Sequence, residues 1–223
     1  MSAGGRGAVR EPAVRGAAGR LEHRAAMARV LGYPYLAPDG PFSRAGGCTS
    51  EGPELVAFGA NADPQVLAEK LGADTPVSAR AALLADHDIA FSAHVSPYGA
   101  IPAALVPSPG TCVPVHLLRL AAEDRARLDA TEPNYVREAL APGLEGYRSR
   151  HGVLTLDGGA VALAAVPARG RTLPALTQEV LLERLRVLLD PRATLEAFVM
   201  AQANDARVRA GRTAWLRSLD VSR

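Results

Sequence analysis

Glu132 is the residue of this chain whose placement could do acid–base chemistry. It lies in RLDATEPNYVR (127–137), four positions after Leu128, a spacing that puts the carboxyl on the leucine's inward side one helical turn later. Desolvation and the negative end of the helix dipole both disfavour a charged carboxylate there. A carboxyl tuned in this way suits taking a proton from an ammonium and returning it to a leaving amine. The alternative is a solvated acid at a helix end. Asp129 is one step off that face and is expected to pair with Arg125.

A second stretch, VAFGANADPQVLAEKLG (56–72), changes abruptly from an apolar run to Gly59, Ala60 and Asn61 and then to a helical pattern. Gly59 can adopt positive φ and Asn61 tolerates it, Asp63 is a good N-cap, and Pro64 fits the first helical position. Outward N–H groups beside the positive end of a helix would form an anion cradle. An ordinary strand-to-helix turn is the competing explanation. The stretch fits neither GxxxxGK[ST] nor GxGxxG, so no nucleotide motif supports it.

Other chemistries find little footing. Cys48 and Cys112 are isolated, there is no CxxC, and the five histidines show no ligand spacing, so neither a disulfide framework nor a metal site is expected. The net charge is +2, and Lys70 is the only lysine, so nearly all the positive charge is arginine. No basic stripe interleaved with aromatics points to nucleic acid. No apolar run approaches the roughly 20 residues of a membrane helix, and no charged segment followed by an apolar core marks a secretory leader. A cytoplasmic protein without membrane partners is the expectation.

The elements that must position these residues follow from composition and periodicity. Hydrophobic residues are 48% of the 223, enough for one substantial core. Residues 1–20 hold too little periodic apolar material for a core and are expected to be disordered, and a short helix over 21–33 completes an N-terminal extension ending near 52. From Glu54 the pattern runs strand, turn, helix, then strands in AALLADHDIAFSA, AIPAALVPS and TCVPVHLLRL. A helix in AAEDRARLDATE follows, lacking a Ser or Thr cap at Ala121. Next come GVLTL and AVALAAV, joined by a DGG turn. After Pro174 the chain becomes helical, with Leu181, Leu182, Leu185, Leu188 and Leu189 forming an apolar stripe broken at Asp190-Pro191. Strands first and helices last predict an α+β fold: an extension over 1–52, a main domain over 53–170, and a helical segment over 171–223 packed on it.

Taken together, Phe58-Gly59-Ala60-Asn61 and Leu128-Asp129-Ala130-Thr131-Glu132, with Tyr135 downstream, resemble the γ-glutamylcyclotransferase-like family. That family opens with strand-YGSN-loop-helix and later carries an LDxxE helix end followed by a tyrosine. The resemblance covers about 55–137 and extends more weakly to 166. It implies a small, partly open β-barrel with flanking helices and a pocket between the Gly59 loop and the glutamate. There the loop amides hold the glutamyl part of a small-molecule substrate. Glu132 moves protons while the substrate's own α-amine attacks its γ-carbonyl, releasing 5-oxoproline and an amine or peptide. Such a reaction needs no cofactor, metal or enzyme nucleophile. Phe58 stands where the family has Tyr, Ala60 where it has Ser, and Pro133 where a glycine often follows the acid. His94, Ser96 and Tyr98, in SAHVSPYGAIP (92–102), could supply polar groups at the pocket mouth or simply hydrogen-bond within a surface turn. The site expected on these grounds is Glu132 as acid/base, with Phe58, Gly59, Ala60, Asn61, His94, Tyr98 and Tyr135 binding a γ-glutamyl or similar carboxylate group. A non-catalytic carboxylate-binding or protein-interaction member of the same fold is the alternative.

Overall fold

The computed structural model describes residues 12–35 and 37–219, with side chains from Leu21 onward. Its helices are α1 (Pro12–Leu31), α2 (Pro64–Leu71), α3 (Ala122–Ala130), α4 (Gln178–Leu189), α5 (Leu195–Asn204) and α6 (Ala206–Ser218), with a 3-10 turn over Gly59–Ala62. The strands are β1 (Phe42–Arg44), β2 (Glu54–Ala57), β3 (Val77–Phe91), β4 (Ala103–Arg119), β5 (Tyr135–Ala141) and β6 (Leu144–Ser149). Four short ones follow: β7 (Thr155–Leu156), β8 (Gly159–Ala160), β9 (Ala162–Leu163) and β10 (Ala175–Leu176). The fold is α+β.

One mixed sheet runs β10-β9-β3-β4-β2-β6-β5, with β1 added on β3, while β7 and β8 form a separate hairpin. β2 is antiparallel to β4 and parallel to β6. Among the described residues β10 and β5, at the two ends of the path, do not pair, so the sheet is open and no closed barrel forms.

Side chains alternate along a strand, and β2 divides the core accordingly. Leu55 and Ala57 enter a cluster with Leu67 and Leu71 of α2 and Leu128 of α3. Val56 points the other way, into a cluster holding Val30 and Tyr33, Phe91, and the buried residues of α4, α5 and α6. Helices therefore cover both faces.

The N-terminal segment departs from expectation. α1 has 20 residues, starting at Pro12, where disorder was expected through residue 20; only residues 1–11 of that stretch lie outside the described residues. Val30 and Tyr33 are fully buried in the second cluster, so 21–35 is part of the core and not an extension leading to it. The sparse apolar content concealed this, because two well-placed residues anchor the segment.

β4 runs unbroken through Pro107, Pro109 and Gly110, where two strands were expected. Its pairing with β3 shifts between Ala85 and His87, and the Gly110 N–H donates to Asp86 Oδ1 at 2.8 Å across the irregularity. Pro107 and Pro114 are tolerated because β2 pairs with β4 only at His116, Leu117 and Leu118, which leaves the outer side of β4 free of ladder bonds at both prolines. The turn at Asp157-Gly158, both with positive φ, joins β7 and β8 as the DGG signal predicts. In α4, Leu181, Leu182 and Leu185 are buried, whereas Leu188 is 59% exposed and does not belong to the stripe.

Candidate functional site

The Gly59 turn forms as its residues dictate. Gly59 has φ of 56°, and a Cβ there would lie 2.4 Å from the Tyr33 hydroxyl and 3.0 Å from Ala103 Cβ, so both backbone and space require glycine. Asp63 caps α2 by accepting from the Gln65 N–H at 2.7 Å, with Pro64 as the first helical residue. The Asn61 N–H is spent on Phe58 O, while the Gly59 and Ala60 amides meet no acceptor among the described residues. Phe58, Ala60 and Asn61 line a cavity of about 330 Å³; Gly59 backs its wall without lining it.

Glu132 reaches the same cavity from the far end of α3. Leu128 is fully buried, the helix ends at Ala130, and the Glu132 N–H caps back onto Asp129 O. The Tyr135 N–H then donates to Glu132 O at 3.0 Å, closing a turn with Pro133 and Asn134 at its centre. That turn accommodates Pro133 and sets Tyr135 three positions after the acid. Asp129 does not pair with Arg125: it takes Arg137 at 3.0 Å and the Tyr147 hydroxyl at 2.7 Å, while Arg125 donates to Pro53 O and reaches Glu145.

Glu132 is not a charge without a partner. Its Oε1 accepts from Asn61 Nδ2 at 2.9 Å and from Lys70 Nζ at 2.5 Å, and Lys70 also donates to Asn61 Oδ1 at 2.7 Å. An ammonium and an amide compensate its burial, with only 12% of the side chain exposed. No donor among the described residues reaches Oε2, so one carboxyl oxygen remains available. Lys70 reaches this point from the last turn of α2, next to the buried Leu67 and Leu71.

The remaining wall is aromatic. All five tyrosines of the chain line the cavity. Tyr33 accepts from the Ala103 N–H at 2.7 Å, and Tyr135 donates to Ala103 O at 2.8 Å, so one residue of β4 holds both rings. Burial pushes both hydroxyls well above the ordinary tyrosine range; the neighbouring tyrosine and Glu132 add to the shift at Tyr33, and Glu132 adds to it at Tyr135. Both phenols therefore remain neutral. Tyr98 carries the Arg29 guanidinium over its ring at 4.9 Å.

His94, Ser96 and Tyr98 all line the cavity, and Ser96 Oγ also accepts from the Ala100 N–H at 3.0 Å within its own turn. His94 is 2% exposed, its Nδ1 is 2.7 Å from Ser92 Oγ, and its ring stacks on His151 with centroids 4.5 Å apart. Burial, reinforced by the His151 charge, pushes its pKa down to about 3, so the ring is neutral at ordinary pH. It serves as wall, not as a proton carrier.

Of the expected residues, Glu132, Phe58, Ala60, Asn61, His94, Tyr98 and Tyr135 are thus brought around one cavity, with Gly59 behind it. Lys70, Tyr33, Tyr35 and Arg29 are contributed unannounced. A signal existed for the first, as the single lysine of an arginine-rich chain. Arg29, Tyr33 and Tyr35 were hidden because they belong to the segment read as an extension. Comparison with family models, curated proteins and solved structures found no match. Among the described residues, no helix is long and apolar enough to cross a membrane.

Proposed function

We propose that the cavity is the active site of a γ-glutamylcyclotransferase-like enzyme, built on an open variant of that family's sheet. The observation that carries this is the meeting of Glu132 and the Gly59 turn, 73 positions apart in sequence, at one open-mouthed cavity of about 330 Å³. A volume of that order suits a small ligand. A γ-glutamyl amine or peptide would place its γ-carbonyl oxygen toward the free amide of Ala60, on the Gly59 turn, and its α-amine toward Glu132. The amine nitrogen attacks the γ-carbonyl carbon, forming the ring C–N bond. Glu132 takes the proton released from that nitrogen and delivers it to the departing nitrogen as the original amide bond breaks. Proximity, an oxyanion-stabilising turn and one carboxyl are sufficient, because the substrate supplies its own nucleophile.

The test is incubation with a panel of γ-glutamyl amines and peptides, with 5-oxoproline as the readout. Glu132→Gln keeps the shape but cannot cycle a proton. Turnover should fall about 100-fold or more while ligand binding survives, in line with general acid–base contributions. Full activity in that variant would remove Glu132 from the mechanism.

A second reading is supported by Phe58 and Ala60, which line the cavity without the hydroxyls of the family pattern. On it the protein binds a small carboxylate without transforming it. Calorimetric binding with no 5-oxoproline from any member of the panel would favour it.

A further inference from the structure

We infer that Lys70 is the carboxylate-reading residue of this cavity, so that the ligand carries an ammonium and a carboxylate on one carbon and divides the Lys70–Glu132 ion pair between them. This deepens the reading above and rests on it for the identity of the site. Lys70 is 21% exposed, lines the cavity, and spends two of its three N–H donors, on Glu132 Oε1 and Asn61 Oδ1. The cavity's other described cation, Arg29, is laid over the Tyr98 ring.

An ion pair lining a cavity with both side chains mostly buried constrains what can displace it. A purely anionic ligand on Lys70 would leave Glu132 uncompensated and add a like charge beside it. A purely cationic ligand on Glu132 would do the same to Lys70. A zwitterionic α-amino acid head compensates both groups at once: its ammonium meets Glu132 and its carboxylate meets Lys70, with the Asn61 amide holding the two side chains in register. Phe58 and Ala60 offer no side-chain donor to a carboxylate, which leaves Lys70 as the charged donor on the loop side. The amine that must attack is thereby set against the group that takes its proton. A γ-linked glutamyl compound presents such a head, whereas in an α-glutamyl peptide the carboxylate is consumed in the amide.

Two probes differing only in the carboxylate test this on the full chain: γ-L-glutamylphenethylamide and 4-aminobutyrylphenethylamide. Dissociation constants are measured by calorimetry, and KM and kcat wherever product forms. The unaltered protein should prefer the carboxylate-bearing probe by about 10- to 100-fold, the scale of one charge-assisted hydrogen bond. Lys70→Gln should reduce that preference to within about threefold by weakening only the carboxylate-bearing probe, and Lys70→Arg should retain most of it. Loss of preference without any 5-oxoproline would sustain the Lys70 assignment and strike the cyclotransferase alone. Product formation with the preference intact in Lys70→Gln would overturn the assignment and leave the reaction standing. Equal weakening of both probes would make Lys70 a scaffold for Glu132 and likewise overturn it. No binding of the first probe by the unaltered protein would overturn both. If Lys70→Gln does not fold, Lys70→Met is put through the same comparison, judged by circular dichroism to be folded.

Discussion

At the scale of single residues, the site depends on charge compensation more than on any one unusual group. His94 illustrates the cost of a titratable side chain enclosed without an acidic partner. Its folded pKa of about 3 lies below the ordinary value of 6.5. The unfolded chain therefore binds its proton more readily, and the histidine's contribution to stability is complete above pH 6.5 and lost progressively as pH falls toward 3. Between pH 7 and pH 5 that loss is about 2 kcal/mol. His151, also held below its usual range by burial, acts in the same direction. Urea unfolding of the unaltered protein and of His94→Gln at the two pH values should show a steeper acid loss in the former; parallel slopes would mean that His94 is not enclosed. How far these residues could be read in advance depended on whether their partners were local. Gly59, Asp63 and Pro64 announce their turn because cap and φ requirements lie within a few positions. Glu132 was legible from its distance to Leu128. The Lys70–Glu132 pair was not, since 62 positions separate the two and only the packing of α2 beside the end of α3 brings them together.

At the scale of elements, the loop carrying Gly59 and the segment after α1 form one joint. Tyr33 binds the Ala103 N–H at the point where a Gly59 Cβ would collide with its hydroxyl, so turn, strand and N-terminal segment fix one another. Gly59→Ala should cost about 1–3 kcal/mol in urea unfolding, from the left-handed backbone and the displaced Tyr33 ring, and should weaken ligand binding in parallel. An unchanged midpoint would show that the turn tolerates a side chain. The same joint predicts the outcome of shortening the chain to begin at Gly52. That removes the buried Val30 and Tyr33 and uncovers the apolar residues of α4 and α5 beneath them. The loss should be at least about 3 kcal/mol, which for a chain of this size lowers the melting temperature by about 6 °C or more. A shortened protein that melts as the full chain does would return 1–52 to the status of an extension. Composition obscured this element because α1 buries little of itself; its worth lies in where it delivers the aromatic residues that follow it. The strands show the converse. Their apolar runs were evident, but the continuity of β4 through three prolines and a glycine depends on which of its sides the neighbouring strand leaves unpaired.

For the molecule as a whole, the question is whether the helical C-terminus unfolds with the sheet or apart from it. Leu181, Leu182 and Leu185 of α4, Phe198 and Val199 of α5, and Leu216 of α6 share a cluster with Ile89 and Phe91 of β3 and Ile101 ahead of β4. A polar tie accompanies this packing: the Gln202 side-chain amide donates to Gly99 O, and Gly99, at φ of 98°, lies 3.0 Å in Cβ terms from the backbone of Ala203. The loop that brings His94, Ser96 and Tyr98 to the cavity is thus held down by α5, and the cavity depends on the C-terminal helices without including any of their residues. Interdigitation of this kind should make the fold one cooperative unit. The chain carries its own reporters. Its single tryptophan, Trp215, packs against that cluster from α6, while the five tyrosines surround the cavity on the other elements. Thermal unfolding followed by Trp215 emission and by tyrosine near-ultraviolet circular dichroism should give superimposable transitions. An earlier tryptophan transition with tyrosine ellipticity retained would mean that α4–α6 detach first and that the cavity survives without them. Coincidence, together with a joint upward shift of both curves on adding γ-L-glutamylphenethylamide, is the behaviour expected of a ligand site whose walls are held in place by the whole molecule.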